Sequence, residues 1–111
     1  MKKQIAAFFL MLTAGFAAVA DGNSNGGTIV HLASVGDYIL FRISGNTESD
    51  RPPCASTGRF SLHKNSAHAS LVLTAFATGK QLANVSGMGT CTNWSNAEDI
   101  RWIEVCPLSG C

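Results

Sequence analysis

Ser66-Ala67-His68-Ala69-Ser70-Leu71-Val72-Leu73-Thr74-Ala75-Phe76-Ala77-Thr78, followed by Gly79-Lys80, is the stretch that decides the fold. Beyond the first twenty residues it alone reads as a helix, and β-like stretches and cysteines flank it on both sides. Asn65 or Ser66 can cap its start, and Gly79 stands where a left-handed residue would end it. Leu71, Val72, Ala75 and Phe76 fall at helical spacing on one side, the expected core face. Ser70, Thr74 and Thr78 fall on another.

Outward from this helix, the N-terminal end reads as a targeting segment. Lys2 and Lys3 form a basic start, Ile5 to Val19 an apolar run, and Ala18-Val19-Ala20 a small-x-small cleavage site. Residues 1–20 are therefore expected to be a signal peptide, with Asp21 the mature N-terminus. The run is short and Ala/Gly-rich, and a Gly/Asn/Ser stretch follows it, so a membrane span is not expected. Export to the periplasm or beyond is the expected destination.

The remaining chain of about ninety residues is expected to form one small domain, 21–111. Without Lys2 and Lys3, six basic residues face seven acidic ones. There is no basic stripe for a nucleic acid. All four cysteines, Cys54, Cys91, Cys106 and Cys111, lie in this part, and an even count in an exported domain reads as two disulfides. Cys106-Pro-Leu-Ser-Gly-Cys111 is a turn-forming hexapeptide, which favours Cys106–Cys111 and leaves Cys54–Cys91 to bridge across the helix. No C-x-x-C pair is present, and the histidines lack ligand spacing to the cysteines, so no metal or other cofactor is expected.

Along the chain, Asp21 to Gly27 reads as a flexible arm and Thr28 to Leu32 as a strand. Tyr38 to Ser44 alternates as a second strand, with Ile39, Phe41 and Ile43 on one side. Gly45 to Pro53 is the main loop, stiffened by Pro52-Pro53. A third strand is expected from Cys54 to about Leu62, with a bend at Gly58. After the helix come Gln81 to Ser86, the Cys91-containing loop Gly87 to Asn96, and a last strand Ile100 to Val105. Three strands, a helix, then two strands is the order of a mainly β, OB-fold-like five-stranded Greek-key barrel with its helix between strands three and four. A two-layer α+β sandwich is the alternative.

Several strings carry a family likeness: Val35-Gly36 after the first strand, Cys54-Ala55-Ser56, Ala77-Thr78-Gly79-Lys80-Gln81, and the closing Cys106-Pro-Leu-Ser-Gly-Cys111. Together with the element order, they make the chain resemble the B subunits of AB5 toxins of the subtilase cytotoxin and typhoid toxin type. The resemblance implies an exported OB-fold module that binds surface ligands, a toxin A-type subunit as partner, and a homopentamer with the helix lining its centre. Two departures stand out. The family's other disulfide partner lies in the second strand, where this chain has Leu40 and Phe41, so Cys91 takes that role. The family's sugar-contacting serine lies just before the first strand. Here Asn25-Gly26-Gly27 occupies that place and Ser24 comes slightly earlier, so that serine is not carried over.

The candidate chemistry is mostly binding. Ser61 and His63 are close in sequence but lack a nucleophile-elbow context. His31, His63 and His68 lack zinc-helix spacing and read as scattered half-exposed histidines. Adjacent Glu98 and Asp99 point to opposite sides of a strand, so with Glu104 they read as a solvated strand entry. Arg59 and Arg101 are expected to pair with Asp99, Glu98 or Glu104. Aromatic rings stack on the apolar faces of sugars while amides and hydroxyls supply direction. Trp94 stands in the polar loop Thr92-Asn93-Trp94-Ser95-Asn96, which suits a binding rim, although folding back over the core beside Cys91 competes. Trp102 lies inside a strand and is expected to be packed. The sequence thus reads as a non-enzymatic module recognising a glycan or partner protein through Ser24, Asn25, Tyr38, Asn93 and Trp94. The alternative is a structural or inhibitor protein of the same fold with no glycan site.

Overall fold

The computed structural model describes residues 21–107, and the segment read as a signal peptide and the Cys106–Cys111 pairing therefore lie outside the described residues. Over the described residues the chain is mainly β with one helix. Its elements are β1 (Asn23–Asn25), β2 (Thr28–Val35), β3 (Tyr38–Ser44), β4 (Thr47–Ser49), β5 (Arg59–His63), α1 (His68–Thr78), β6 (Leu82–Gly87) and β7 (Ala97–Val105). Both fold readings of the sequence share this description.

The strands form one seven-stranded sheet of order β2-β3-β5-β7-β6-β1-β4. All neighbours are antiparallel except β5 and β7, which run parallel with Ser61 opposite Asp99. β1 runs into β2 through Gly26 and Gly27, both at positive φ, and Thr28 forms an isolated bridge with Gln81. Around this bend the backbone stays paired, with Gly26 N–H donating to the Ala83 carbonyl and Leu82 N–H to that of Gly27.

Two segments read as irregular are strands. The arm contributes β1, seated between β6 and β4, and the main loop contributes β4. A short polar segment carries little strand signal of its own; cross-strand pairing supplies it here. The third strand is shorter than expected. Cys54 to Gly58 forms turns closed by Ala55 N–H to the Pro52 carbonyl and Gly58 N–H to that of Ala55, and only Arg59–His63 pairs.

The helix begins at His68 with Ala67 at its N-cap, one residue later than a Ser66 cap and two later than an Asn65 cap. Ser66 still serves, its Oγ accepting the His68 N–H at 3.2 Å. Gly79 at φ 66° ends the helix as expected, with Gly79 N–H to the Phe76 carbonyl and Lys80 N–H to that of Ala75. The buried face corrects the sequence reading. Ala69, Val72 and Ala75 face the sheet, while Leu71 and Phe76 are 43% exposed. A face of small side chains lets the helix lie close to the sheet, which leaves the bulkier pair outside.

The core gathers Ile29, Ile39, Phe41, Ile43, Phe60, Leu62, Val72, Leu82, Val85, Ile100 and Ile103. Phe41 and Phe60 stack at 5.6 Å between centroids. The β3 alternation holds at Ile39, Phe41 and Ile43, but Leu40 is buried as well. In β6 and β7 the expected alternation fails because each strand carries a bulge. The pairing steps from Leu82–Val105 to Asn84–Glu104, and from Ser86–Trp102 to Gly87–Ile100. Ala83 and Arg101 are the extra residues, and each resets the alternation. Leu82 and Val85 therefore both point inward, as do Ile100 and Ile103, and Trp102 points out.

Candidate functional site

The two carboxylates read as a solvated strand entry are among the most buried groups of the chain, Glu98 at 0% and Asp99 at 3% exposure. They do point to opposite sides, and each organises one region. A buried carboxylate stays charged only where donors surround it. Glu98 accepts from Gly22 N–H and Gly89 N–H, both at 2.9 Å, and from Arg51 Nε at 2.8 Å. Arg51 also donates to the carbonyls of Gly58 and Arg59, and its guanidinium lies 3.9 Å from the Phe60 ring centroid. A Cβ at Gly22 or Gly87 would overlap the Glu98 carboxylate, so only glycine fits at either position.

Asp99 fastens the loop before β7. Its oxygens accept from Thr92 N–H and Asn93 N–H, from the Thr92 hydroxyl at 2.6 Å and the Thr90 hydroxyl at 2.7 Å, and from Ser61 Oγ at 3.3 Å. Burial alone raises the Asp99 pKa. The Asn93 N–H, the Thr92 and Thr90 hydroxyls and the Thr92 N–H outweigh it and hold the carboxyl below its ordinary value of 3.8. The Cys54–Cys91 disulfide, with Cα atoms 6.2 Å apart, ties the same loop to the turns before β5, as the sequence led us to expect. Arginine pairing differs from expectation. Arg59 donates to Thr57 and Asn96, Arg101 pairs with Asp21, and the buried partner of Glu98 is Arg51.

On this frame the sequence candidates divide between two places. The first is the outer face of β7, β6, β1 and β4. Register places Trp102, Ser86, Asn23 and Ser49 in one row, and Glu104, Asn84, Asn25 and Thr47 in the next. Trp102 is 56% exposed, which corrects its reading as a packed residue. Asn23, Asn25, Asn84, Glu104, Thr47 and Ser49 are exposed too, and Asn84 Nδ2 donates to Glu104 Oε1 at 3.0 Å. The intervening row, Ser24, Val85 and Ile103, points inward. Asn25 therefore lies on this face, whereas Ser24 is buried beneath it with its Oγ accepting from Asn46 at 2.7 Å. Strand and residue spacings make the two rows a patch about 14 Å by 7 Å.

The second place is a cleft of about 260 Å³ where the end of β5, the start of α1 and the Asp99-fastened loop meet. Asn93 lines it with His63, Ser66 and His68, over Leu62, Met88 and Ile100. Tyr38 lies behind it, edge-on to the His63 ring at 5.5 Å, and lines a separate, more apolar cleft of about 400 Å³ with Leu32 and Leu73. Trp94 lies outside both clefts, half-buried, with a bridge to Ala97 at the start of β7. Two of the three histidines are thus gathered, not scattered, and His31 is exposed on β2. Among the described residues no group of three or more His, Cys, Asp or Glu side chains converges to hold a metal, and no helix is long and apolar enough to cross a membrane.

The bulge at Arg101 hid the outer face, because alternation without it places Trp102 with Ile100. The Asn and Ser content of residues 23–25 was the available signal, once that arm is paired as a strand. Compared with known proteins, the chain matches no family model, no curated protein and no solved structure.

Proposed function

We propose that this chain is an exported, non-enzymatic binding module whose outer sheet face recognises a glycan, in the manner of an AB5 toxin B subunit. The observation that carries the reading is the exposed Trp102 ring in register with Ser86, Asn23 and Ser49 and beside Glu104, Asn84, Asn25 and Thr47. An indole offers a flat apolar surface to the C–H face of a sugar ring, and amides, hydroxyls and a carboxylate around it match equatorial hydroxyls. Because these groups stand on paired strands, they are held in place before a ligand arrives, which lowers the ordering cost of binding.

The OB-type arrangement belongs to the same proposal. It is supported by the parallel β5–β7 pair, by the helix between β5 and β6, and by the bent β1–β2 segment that pairs with β6 before its bend and β3 after it. Counted as one strand, β1–β2 makes the order that of a five-stranded Greek-key barrel. The Cys54–Cys91 disulfide fits an oxidising compartment and so supports export.

The test is a glycan array probed with the disulfide-intact protein, with Trp102→Ala as the paired control. Binding of sialylated or neutral oligosaccharides that disappears in the variant is expected. Silence across the array, or binding that survives the substitution, removes the glycan reading.

One observation favours the second reading, a structural or inhibitor protein that meets a protein partner. Leu71 on one edge of the buried α1 face, and Leu73 and Phe76 on the other, leave apolar side chains exposed. In a homopentamer of the AB5 kind neighbouring copies would cover part of this surface, whereas a single chain leaves it for another protein. Light scattering decides between a mass of one chain and a mass of five.

A further inference from the structure

The cleft between β5, α1 and the Asp99 loop is separate from the outer sheet face, and its wall carries hydrogen-bond donors that the fold leaves unused. Asn65 N–H donates to His63 Nδ1 at 3.1 Å, which places the proton of the neutral imidazole on Nε2, as a donor. Ser66 Oγ accepts the His68 N–H, so its own hydroxyl proton is free to be given. Among the described residues the His68 imidazole has no hydrogen-bond partner, and Asn93 uses its amide only in a long 3.4 Å contact to Ser61 Oγ. Asp99, the one carboxylate among the described residues at the cleft, already accepts from five donor groups and has little capacity left. Two donors, the His63 Nε2–H and the Ser66 hydroxyl, are thus fixed at the cleft wall, and His68 and Asn93 can each turn an N–H toward a ligand there. Leu62, Met88 and Ile100 add an apolar floor.

We propose that this cleft binds a small oxyanion, a carboxylate or a phosphate, through His63, Ser66, His68 and Asn93. A short hydrocarbon body attached to the anion covers the Leu62–Met88–Ile100 floor. The cleft volume of about 260 Å³ lies below the range of drug-sized sites, so the ligand is a few heavy atoms in size or one end of a larger molecule. The loop that carries Asn93 is held by Asp99 and by Cys54–Cys91, and the Asn65 N–H orients His63, so these two donors are in place in the free protein. The inference does not depend on glycan binding at Trp102.

The test is a titration of the disulfide-intact protein at neutral pH, following the ring C–H resonances of His63 and His68. The probes are butyrate, inorganic phosphate and the neutral isostere butyramide. Saturable shifts at both histidines with butyrate or with phosphate support the site, and whichever anion saturates identifies the source of the oxyanion. Butyramide binds at least roughly tenfold more weakly, a gap of about 1.4 kcal/mol. His68→Leu weakens anion binding by a similar factor, and His68→Gln, which keeps an N–H donor, restores part of it. The melting temperature of each variant confirms that it is folded. Equal binding of butyramide and butyrate, saturation by neither anion, or undiminished binding in folded His68→Leu overturns the proposal.

Discussion

Replacing Asp99 by Asn exchanges one buried carboxylate oxygen for an NH2 group and leaves the shape unchanged. The geometry dictates which oxygen is lost. The Asn93 N–H donates to Oδ1 alone and the Thr92 N–H is shared between Oδ1 and Oδ2, so the amide oxygen stays at Oδ1, where it keeps both, and the Thr92 N–H loses its 3.0 Å contact to Oδ2. The NH2 then meets the Thr90 and Thr92 hydroxyls, which now donate to Oδ2 at 2.7 and 2.6 Å. Two charge-assisted bonds, worth about 1.5–3 kcal/mol each, are replaced by neutral ones worth about 1 kcal/mol after the hydroxyls turn. With the weakened bonds to Oδ1, the expected loss is about 3 kcal/mol at neutral pH. In a domain of this size that corresponds to roughly 15 °C in melting temperature.

The pH dependence gives a second signature of the same substitution. Asp99 is held below its ordinary pKa when folded, so its contribution is complete above the unfolded value near 3.8. It is lost as pH falls through the folded value. Wild type and Asp99→Asn should therefore differ most at neutral pH and converge in strong acid. Equilibrium urea denaturation with the disulfide intact, repeated from neutral to acid pH, measures both quantities. A loss under about 0.5 kcal/mol, ordinary for a surface change, or a gap that does not close in acid, would refute the role given to this carboxylate.

Other expected outcomes follow from the same contacts. Gly22→Ala and Gly87→Ala each place a methyl group on the Glu98 carboxylate and should cost about 3 kcal/mol in urea denaturation; tolerance at either position contradicts the cradle. Reducing Cys54–Cys91 opens a loop of sequence separation 37 and should remove about 4 kcal/mol, read as a drop in melting temperature with a dithiol present. Trp102→Ala should change stability by less than about 0.5 kcal/mol, because the ring is more than half exposed, while glycan binding is lost. A large destabilisation would mean that the ring is held by the fold and is not a free platform.

How much of this was legible before folding depended on whether a residue acts through local pattern or through distant partners. The helix, its Gly79 end and β3 follow from spacing over a few residues; β3 and the Gly79 end are found where that spacing puts them, and the helix begins within two residues of it. The Cys54–Cys91 pair followed from cysteine number and the hexapeptide between the other two. Bulges at Ala83 and Arg101 carry no mark in a single sequence, yet each reverses the facing of the residues beyond it. That is why Trp102 read as packed and stands outside. β1 and β4 are three-residue polar segments whose strand character comes wholly from each other and from β6. Glu98 and Asp99 read as ordinary surface acids because their donors, backbone N–H groups, hydroxyls and the Arg51 guanidinium, come from segments up to 76 residues away. Among the candidate binding residues, Asn25 lies on the outer face and Asn93 in the end cleft. Ser24 alternates inward from Asn25, which only the register reveals.

The central claim, that the outer face of β7, β6, β1 and β4 is the binding surface, is tested most directly by mapping amide and indole N–H shifts. Soluble oligosaccharides drawn from the array would be titrated into isotope-labelled protein. The account predicts saturable shifts at the Trp102 indole N–H and at the side-chain amides of Asn23, Asn25 and Asn84. Saturable shifts that instead cluster at Asn93 and Trp94, with the Trp102 indole unmoved, would contradict it.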